Sequence, residues 1–162
     1  MKVGIIGATG YGGLELIRLL HNHAKVDSIT LFTSSDEGAV FSNKYPHLKG
    51  LYDLPLEAIT KENIAELDVV FTSTPSGVSG QLLPDLANDH TKMIDLSGDL
   101  RLKNIDDYKT WYGKTPAPQS FVDHAVYGLA EWQSAKDAHV IANPGCYPTA
   151  VLLSLLPLLK ET

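Results

Sequence analysis

Apolar positions recur along this chain with two alternating periods. Lys2-Val3-Gly4-Ile5-Ile6 is a short apolar run of strand character, and after it Gly13, Leu16, Ile17, Leu20 and Ala24 fall at helical spacing on one stripe. Ser28-Ile29-Thr30-Leu31-Phe32 predicts a second strand. From Gly38 to Glu66 the pattern is weaker, with a loop at Tyr45-Pro46-His47 and a short strand expected within residues 51–59. Asp68-Val69-Val70-Phe71-Thr72-Ser73-Thr74 reads as a buried strand, closed by Pro75-Ser76-Gly77 and followed by a helix over about residues 78–88. Lys92-Met93-Ile94-Asp95-Leu96 predicts another strand, and residues 104–113 a short helix whose Tyr108, Trp111 and Tyr112 are expected to pack. Residues 114–138, with Pro116 and Pro118, read as loop, His139-Val140-Ile141-Ala142 as a last strand, and residues 150–159 as an almost wholly apolar helix. Strands alternating with helices in this way predict an α/β fold, a doubly wound and mostly parallel sheet.

Composition narrows the function classes. With 162 residues, 44% hydrophobic and 20% charged, the chain can bury a full core, and its net charge of −6 with no basic cluster argues against a nucleic-acid partner. The apolar run at 150–159 is interrupted by Ser154 and Pro157. It falls well short of the ~18 residues that span a bilayer, so no membrane partner is expected. A single cysteine cannot form an internal disulfide, and the N-terminus passes directly into a strand without the charged region of a signal peptide. A cytoplasmic setting is the expectation.

Candidate chemistry clusters where strands hand over to helices. Gly7-Ala8-Thr9-Gly10-Tyr11-Gly12-Gly13 follows the first strand directly and opens the first helix. In such a loop Gly7 makes the tight turn, Gly10 lets a diphosphate approach the backbone, Gly13 lets helix and sheet pack closely, and the helix N-terminus offers free N–H groups. The spacing departs at Thr9 from the usual dinucleotide fingerprint. At the end of the second strand, where an NAD-preferring site carries a carboxylate, stand Ser34 and Ser35, hydroxyls able to donate to a 2′-phosphate. They point to NADP, with Asp36 and Glu37 nearby as a countervailing feature; the alternative is a plain polar turn. Pro75 borders the same crevice, because ligands of open parallel sheets lie beyond the carboxyl ends of the strands. Ser97-Gly98-Asp99-Leu100-Arg101 follows another strand, making Arg101 a candidate anion binder, or else the partner of Asp99 in a surface ion pair. Cys146 lies in Asn143-Pro144-Gly145-Cys146-Tyr147-Pro148-Thr149 at the mouth of the closing helix, where free N–H groups favour a thiolate nucleophile. The competing reading is a small buried hydrophobe.

Three of these stretches together, the glycine loop at 7–13, Asp95 to Arg101, and Asn143 to Thr149, resemble the N-acetyl-γ-glutamyl-phosphate reductases, relatives of the aspartate-semialdehyde dehydrogenases. Val126-Tyr127-Gly128-Leu129-Ala130-Glu131 also resembles a family segment, with Ala130 in place of the usual proline and Ser76 where histidine is common. The resemblance implies a Rossmann-type NADP-binding domain over residues 1–145, with residues 146–162 forming the nucleophile loop and first helix of a second domain largely absent from the chain. It implies NADPH-dependent reduction of N-acetyl-glutamyl 5-phosphate to the semialdehyde, in arginine biosynthesis, through a thioester on Cys146. Gly7, Thr9, Gly10, Tyr11, Gly12, Gly13, Ser34, Ser35 and Pro75 are the expected cofactor contacts, Arg101 and Asn143 the expected substrate contacts, and Lys44 a candidate partner for a 2′-phosphate. No metal is expected. None of the six histidines falls in a matching motif, so the general acid/base is expected beyond residue 162, the chain alone is expected to show little or no turnover, and the full-length enzyme is expected to be a homo-oligomer. The alternatives are an aspartate-semialdehyde dehydrogenase-like enzyme and a non-catalytic NADP sensor with a buried cysteine.

Overall fold

The computed structural model of the chain describes residues 1–160; residues 161 and 162, the end of the expected closing segment, lie outside the described residues. Seven strands form one sheet: β1 (Lys2–Ile6), β2 (Ser28–Thr33), β3 (Leu56–Ala58), β4 (Val69–Thr72), β5 (Lys92–Asp95), β6 (Val126–Tyr127) and β7 (Val140–Ala142). Six helices accompany them: α1 (Tyr11–His21), α2 (Lys61–Ala65), α3 (Ser79–Leu86), α4 (Ile105–Tyr112), α5 (Gln119–His124) and α6 (Cys146–Lys160). The strand order is β3-β2-β1-β4-β5-β7-β6, and every pairing is parallel.

Period-two alternation explains why both faces of the sheet are covered. In β1, Ile5 joins one apolar cluster with Ile17 of α1, Leu31, Phe41 and Leu56, while its neighbour Ile6 joins the other with Val70, Leu83, Met93 and Leu100. Leu31 and Phe32 of β2 divide in the same way. A strand whose successive residues both need burial requires a helical layer on each side, which is the doubly wound arrangement. Gly4 sits between them because a Cβ there would press on Leu67 at 2.6 Å and Phe32 at 2.9 Å.

The region read as loop over 114–138 holds two elements that the sequence pattern does not announce. Helix α5 is only six residues long and β6 only two, too short for either period to show. Lys103 explains how α5 is held, since its ammonium donates to the carbonyls of Val122 and Asp123 at the end of that helix and of Ala125 just beyond it. Because all strands run in one direction, the ends of β1, β4, β5 and β7 open on one edge of the sheet. The order reverses between β1 and β4, and that switch point is where an open parallel sheet leaves a crevice.

Candidate active site

At the end of β1 the chain turns through Gly7, whose φ of +82° suits glycine and whose missing side chain leaves room for the backbone carbonyl of Ser73 at the end of β4. Gly12 is required by the Ser73 hydroxyl and the buried Gly13 by the Gly7 carbonyl, each of which a Cβ would overlap. Gly10 is different. It is the N-cap of α1, with φ −93°, and a Cβ there would find its nearest neighbour at 3.5 Å. The fold leaves space at Gly10, which faces solvent beside the free N–H groups of α1. At three of the glycines a Cβ would meet its neighbours, whereas at Gly10 the backbone is left open. Tyr45 braces the loop by donating its hydroxyl to the Thr9 carbonyl at 2.8 Å.

A cleft of about 340 Å³ lies over this loop, lined by Gly7, Thr9, Gly10, Ser34, Ser35 and Pro75 among others. Six of the expected cofactor contacts are thus brought together. Gly12 lies in the neighbouring cleft, Gly13 is buried behind the loop, and Tyr11, 90% exposed, lines neither cleft. At the serine end, Ser35 donates its hydroxyl to Asp36 at 2.9 Å, and Lys44 reaches the same carboxylate oxygen at 2.6 Å. The Lys44 ammonium and the Ser35 hydroxyl hold the Asp36 carboxyl below the usual carboxylate range. Asp36, the nearer of the two carboxylates that follow the serines, is thereby paired with a cation within the same loop, while Glu37 is exposed. A glycine cradle with space at Gly10, free helix N–H groups and hydroxyls at the far end fit a dinucleotide.

The second cleft, about 1120 Å³, contains Cys146, Arg101, Asn143, Tyr112 and Tyr127. Cys146 is the first residue of α6 and is exposed, so it is not the small buried hydrophobe of the competing reading. The fold places it there because β7 ends at Ala142 and the Pro144 turn leads straight into a helix whose first turn closes through the Thr149 N–H to the Gly145 carbonyl at 3.0 Å. Arg101 is not the surface ion-pair partner of Asp99. Its Nε donates to the Asn143 carbonyl at 2.9 Å and its Nη2 to the Leu96 carbonyl at 2.7 Å, and among the described residues no carboxylate is paired with it. A Cβ on Gly145, the residue before the cysteine, would lie 2.9 Å from Nη1. The guanidinium is therefore fixed by neutral carbonyls, keeps its full charge, and stands against the cysteine loop. Asn143 contributes through its backbone; its side-chain amide donates to the Pro144 carbonyl. None of the six histidines lines this cleft.

Ser73 borders both clefts, and among the described residues its hydroxyl makes no hydrogen bond. Sequence reasoning passed over it because a serine at a strand end carries no pattern. It also passed over the buried polar network behind the site. Asp95 accepts from Thr72 Oγ1 at 2.8 Å and from the Ser97 hydroxyl at 2.8 Å, and Ser97 contacts Ser79 at 2.5 Å. Tyr108 donates to Asp99 at 2.8 Å, and burial together with that carboxylate pushes its phenol well above the ordinary tyrosine range. Tyr108 in turn stacks on Tyr112, whose ring occupies the space left by Gly98.

Comparison with known proteins agrees with this geometry. Residues 2–140 match the family model described as semialdehyde dehydrogenase, NAD binding domain. An N-acetyl-gamma-glutamyl-phosphate reductase from Halalkalibacterium halodurans is 55% identical over 99% of this chain and 48% of its own length. One from Bacillus subtilis is 50% identical over the same shares. The chain thus spans about half the length of the curated relatives it matches. Among solved structures, aspartate semialdehyde dehydrogenase II from Vibrio cholerae aligns with a TM-score of 0.68 at 20% identity, over 98% of this chain and 46% of that one. The enzyme from Candida albicans, solved with NADP, gives 0.68 at 18% identity over 99% and 47%; at such identities the likeness speaks for the fold. With the family model matched over most of its length and a parallel sheet that carries the glycine loop at its switch point, the chain belongs to the semialdehyde dehydrogenase NAD-binding domain family.

Proposed function

We propose that this chain is the cofactor-binding and nucleophile-bearing part of an NADPH-dependent reductase acting on N-acetyl-γ-glutamyl phosphate, and that Cys146 is its nucleophile. The observation that carries this reading is the second cleft, in which an exposed thiol at a helix N-terminus shares a wall with an arginine that has no carboxylate partner. The names of the relatives supply the substrate class.

The chemistry then follows from the residues. The Cys146 Sγ thiolate attacks the acyl carbon, the carbon–oxygen bond to phosphate breaks, and inorganic phosphate departs, leaving a thioester. The first N–H groups of α6 lack partners within the helix and are available to the oxyanion that forms, an interaction worth ~2.7–4 kcal/mol per donor in other acyl-transfer enzymes. Arg101 holds an anionic group of the substrate beside the thiol. Gly10 and the Ser34–Ser35 turn would hold a dinucleotide, whose chemistry when bound would be hydride donation to the thioester carbon. Collapse of the adduct releases the aldehyde and returns Sγ as thiolate, ready for another acyl group. The Lys44 ammonium, paired with Asp36 at the serine end of the cleft, offsets that carboxylate and favours NADP over NAD. A cytoplasmic, homo-oligomeric enzyme is part of the same proposal.

The test is NADPH oxidation dependent on N-acetyl-γ-glutamyl phosphate, with aspartyl phosphate and NADH as comparison substrates, in the full-length enzyme that carries this chain and in its Cys146→Ser variant, the 162-residue chain alone being expected to show little or no turnover. Activity confined to the acetylated substrate and lost in the serine variant is expected. Preference for aspartyl phosphate would move the assignment to a semialdehyde dehydrogenase activity.

A further inference from the structure

One buried carboxylate takes no part in these steps. Asp99 is 2% exposed and has no cation within ion-pair reach among the described residues. Its Oδ1 accepts from the Gly77 N–H and from the Tyr108 hydroxyl, both at 2.8 Å. Its Oδ2 accepts from the Gly80 N–H at 2.8 Å and from the Ser79 hydroxyl at 3.3 Å. A carboxylate tolerates burial only when its lone pairs are satisfied in this way.

The owners of these donors matter. Gly77 closes the turn that begins at Pro75 on the wall of the dinucleotide cleft. Ser79 and Gly80 open α3, whose own N-cap residue, Val78, supplies no side-chain cap. Asp99 itself stands two residues before Arg101, inside a turn closed by the Arg101 N–H to the Gly98 carbonyl at 3.3 Å. One side chain therefore caps α3 from another segment, pins the cofactor-side turn, and anchors the turn that carries the guanidinium to the cysteine loop.

We propose that Asp99 is a positioning residue that sets the Arg101 guanidinium against the Cys146 loop and the Pro75–Gly77 turn against the dinucleotide cleft, coupling the two halves of the site. It rests on the proposed role of Arg101 beside the nucleophile. The coupling acts through geometry, so it is readable without catalysis. Alkylation of Cys146 by anionic iodoacetate depends on a nearby cation, whereas alkylation by neutral iodoacetamide does not. The ratio of the two rates thus reports where the guanidinium stands. Partial unfolding would carry the guanidinium away as well, so the thermal midpoint and the iodoacetamide rate, the latter expected to stay unchanged, are measured beside the ratio.

The experiment measures this ratio, and the Kd for NADPH, in the 162-residue chain. Asp99→Ala is expected to lower the ratio at least about fivefold, towards the value of Arg101→Gln, and to raise the Kd by a similar factor. Asp99→Asn keeps an oxygen for Gly77 and Gly80 and an amide that donates to the Tyr108 oxygen, so both quantities are expected to stay within about twofold of the unsubstituted chain. If the alanine variant does not fold, Tyr108→Phe serves, with a fall of about twofold in the ratio expected. A ratio or a Kd unchanged in Asp99→Ala, or in its absence a ratio unchanged in Tyr108→Phe, overturns the inference. Failure of the reductase proposal shows itself separately, as no acyl-phosphate-dependent NADPH oxidation by the full-length enzyme while the ratio in the 162-residue chain responds as described.

Discussion

Four glycines crowd into residues 7–13, and their surroundings separate those a side chain would disturb from the one at which a side chain has room. Gly7 combines a φ of +82° with a carbonyl where a Cβ would sit. Gly7→Ala is therefore expected to cost at least about 1–2 kcal/mol of stability, measured by urea unfolding. Gly10→Ala has room and a permitted backbone conformation. It should cost no more than about 1 kcal/mol as an N-cap change, while weakening NADPH binding about tenfold or more, the equivalent of ~1.4 kcal/mol. A stable Gly10→Ala chain that binds NADPH normally would remove the diphosphate from that position. Arg101 is the other residue whose detail decides its role. Lysine keeps the charge but cannot bridge the Asn143 and Leu96 carbonyls with a planar fork. In the full-length enzyme Arg101→Lys is expected to raise the KM for the acyl phosphate roughly tenfold or more, with the thermal midpoint little changed. An unchanged KM would return Arg101 to a structural role.

Between β2 and β3 lie two single-turn 3₁₀ helices, Phe41–Asn43 and Pro46–Leu48, and two carboxylates help to hold the segment. Asp36 is engaged by Lys44 and Ser35, and Asp53 by the Ser42 hydroxyl and the Gly50 N–H. These donors hold both carboxyls below their ordinary range. The folded chain then binds fewer protons than the unfolded one, so their contribution is complete above the unfolded value near ~3.9 and is lost as the pH falls through the folded values. The thermal midpoint is expected to decline below about pH 4, less steeply in Asp36→Asn/Asp53→Asn; identical profiles would contradict this assignment. The same segment shows where sequence reading stops. Strands β1, β2, β4 and β5 and helices α1 and α4 were legible because their apolar residues repeat often enough to show a period. Helix α5 and strand β6 were not, and neither was Tyr45, whose brace on Thr9 joins positions 36 residues apart. Cys146, Arg101 and the glycine loop were legible because each lies in the stretch beyond a strand end and carries a residue type with its own chemistry, a lone thiol, a guanidinium or spaced glycines. Ser73 and Asp99 were not, since their importance comes from the neighbours the sheet order gives them.

For the molecule as a whole, the switch point between β1 and β4 makes one site of two clefts. The dinucleotide cleft and the cysteine cleft meet at Ser73, so a ligand spanning the first is expected to hinder access to the second. Saturating NADP should slow iodoacetamide alkylation of Cys146 severalfold, and equal rates with and without the dinucleotide would mean that the clefts act independently. Helix α6 continues from the nucleophile with Val151, Leu153, Leu155, Leu158 and Leu159 exposed. Among the described residues, no helix is long and apolar enough to cross a membrane. The central claim, that Cys146 takes up the acyl group, is met most directly by intact-mass measurement after mixing the protein with N-acetyl-γ-glutamyl phosphate in the absence of dinucleotide. The account predicts one N-acetylglutamyl group on Cys146, an equivalent of phosphate released, discharge by hydroxylamine, and no adduct in Cys146→Ser. An unmodified protein, or an adduct that persists in the serine variant, would contradict it.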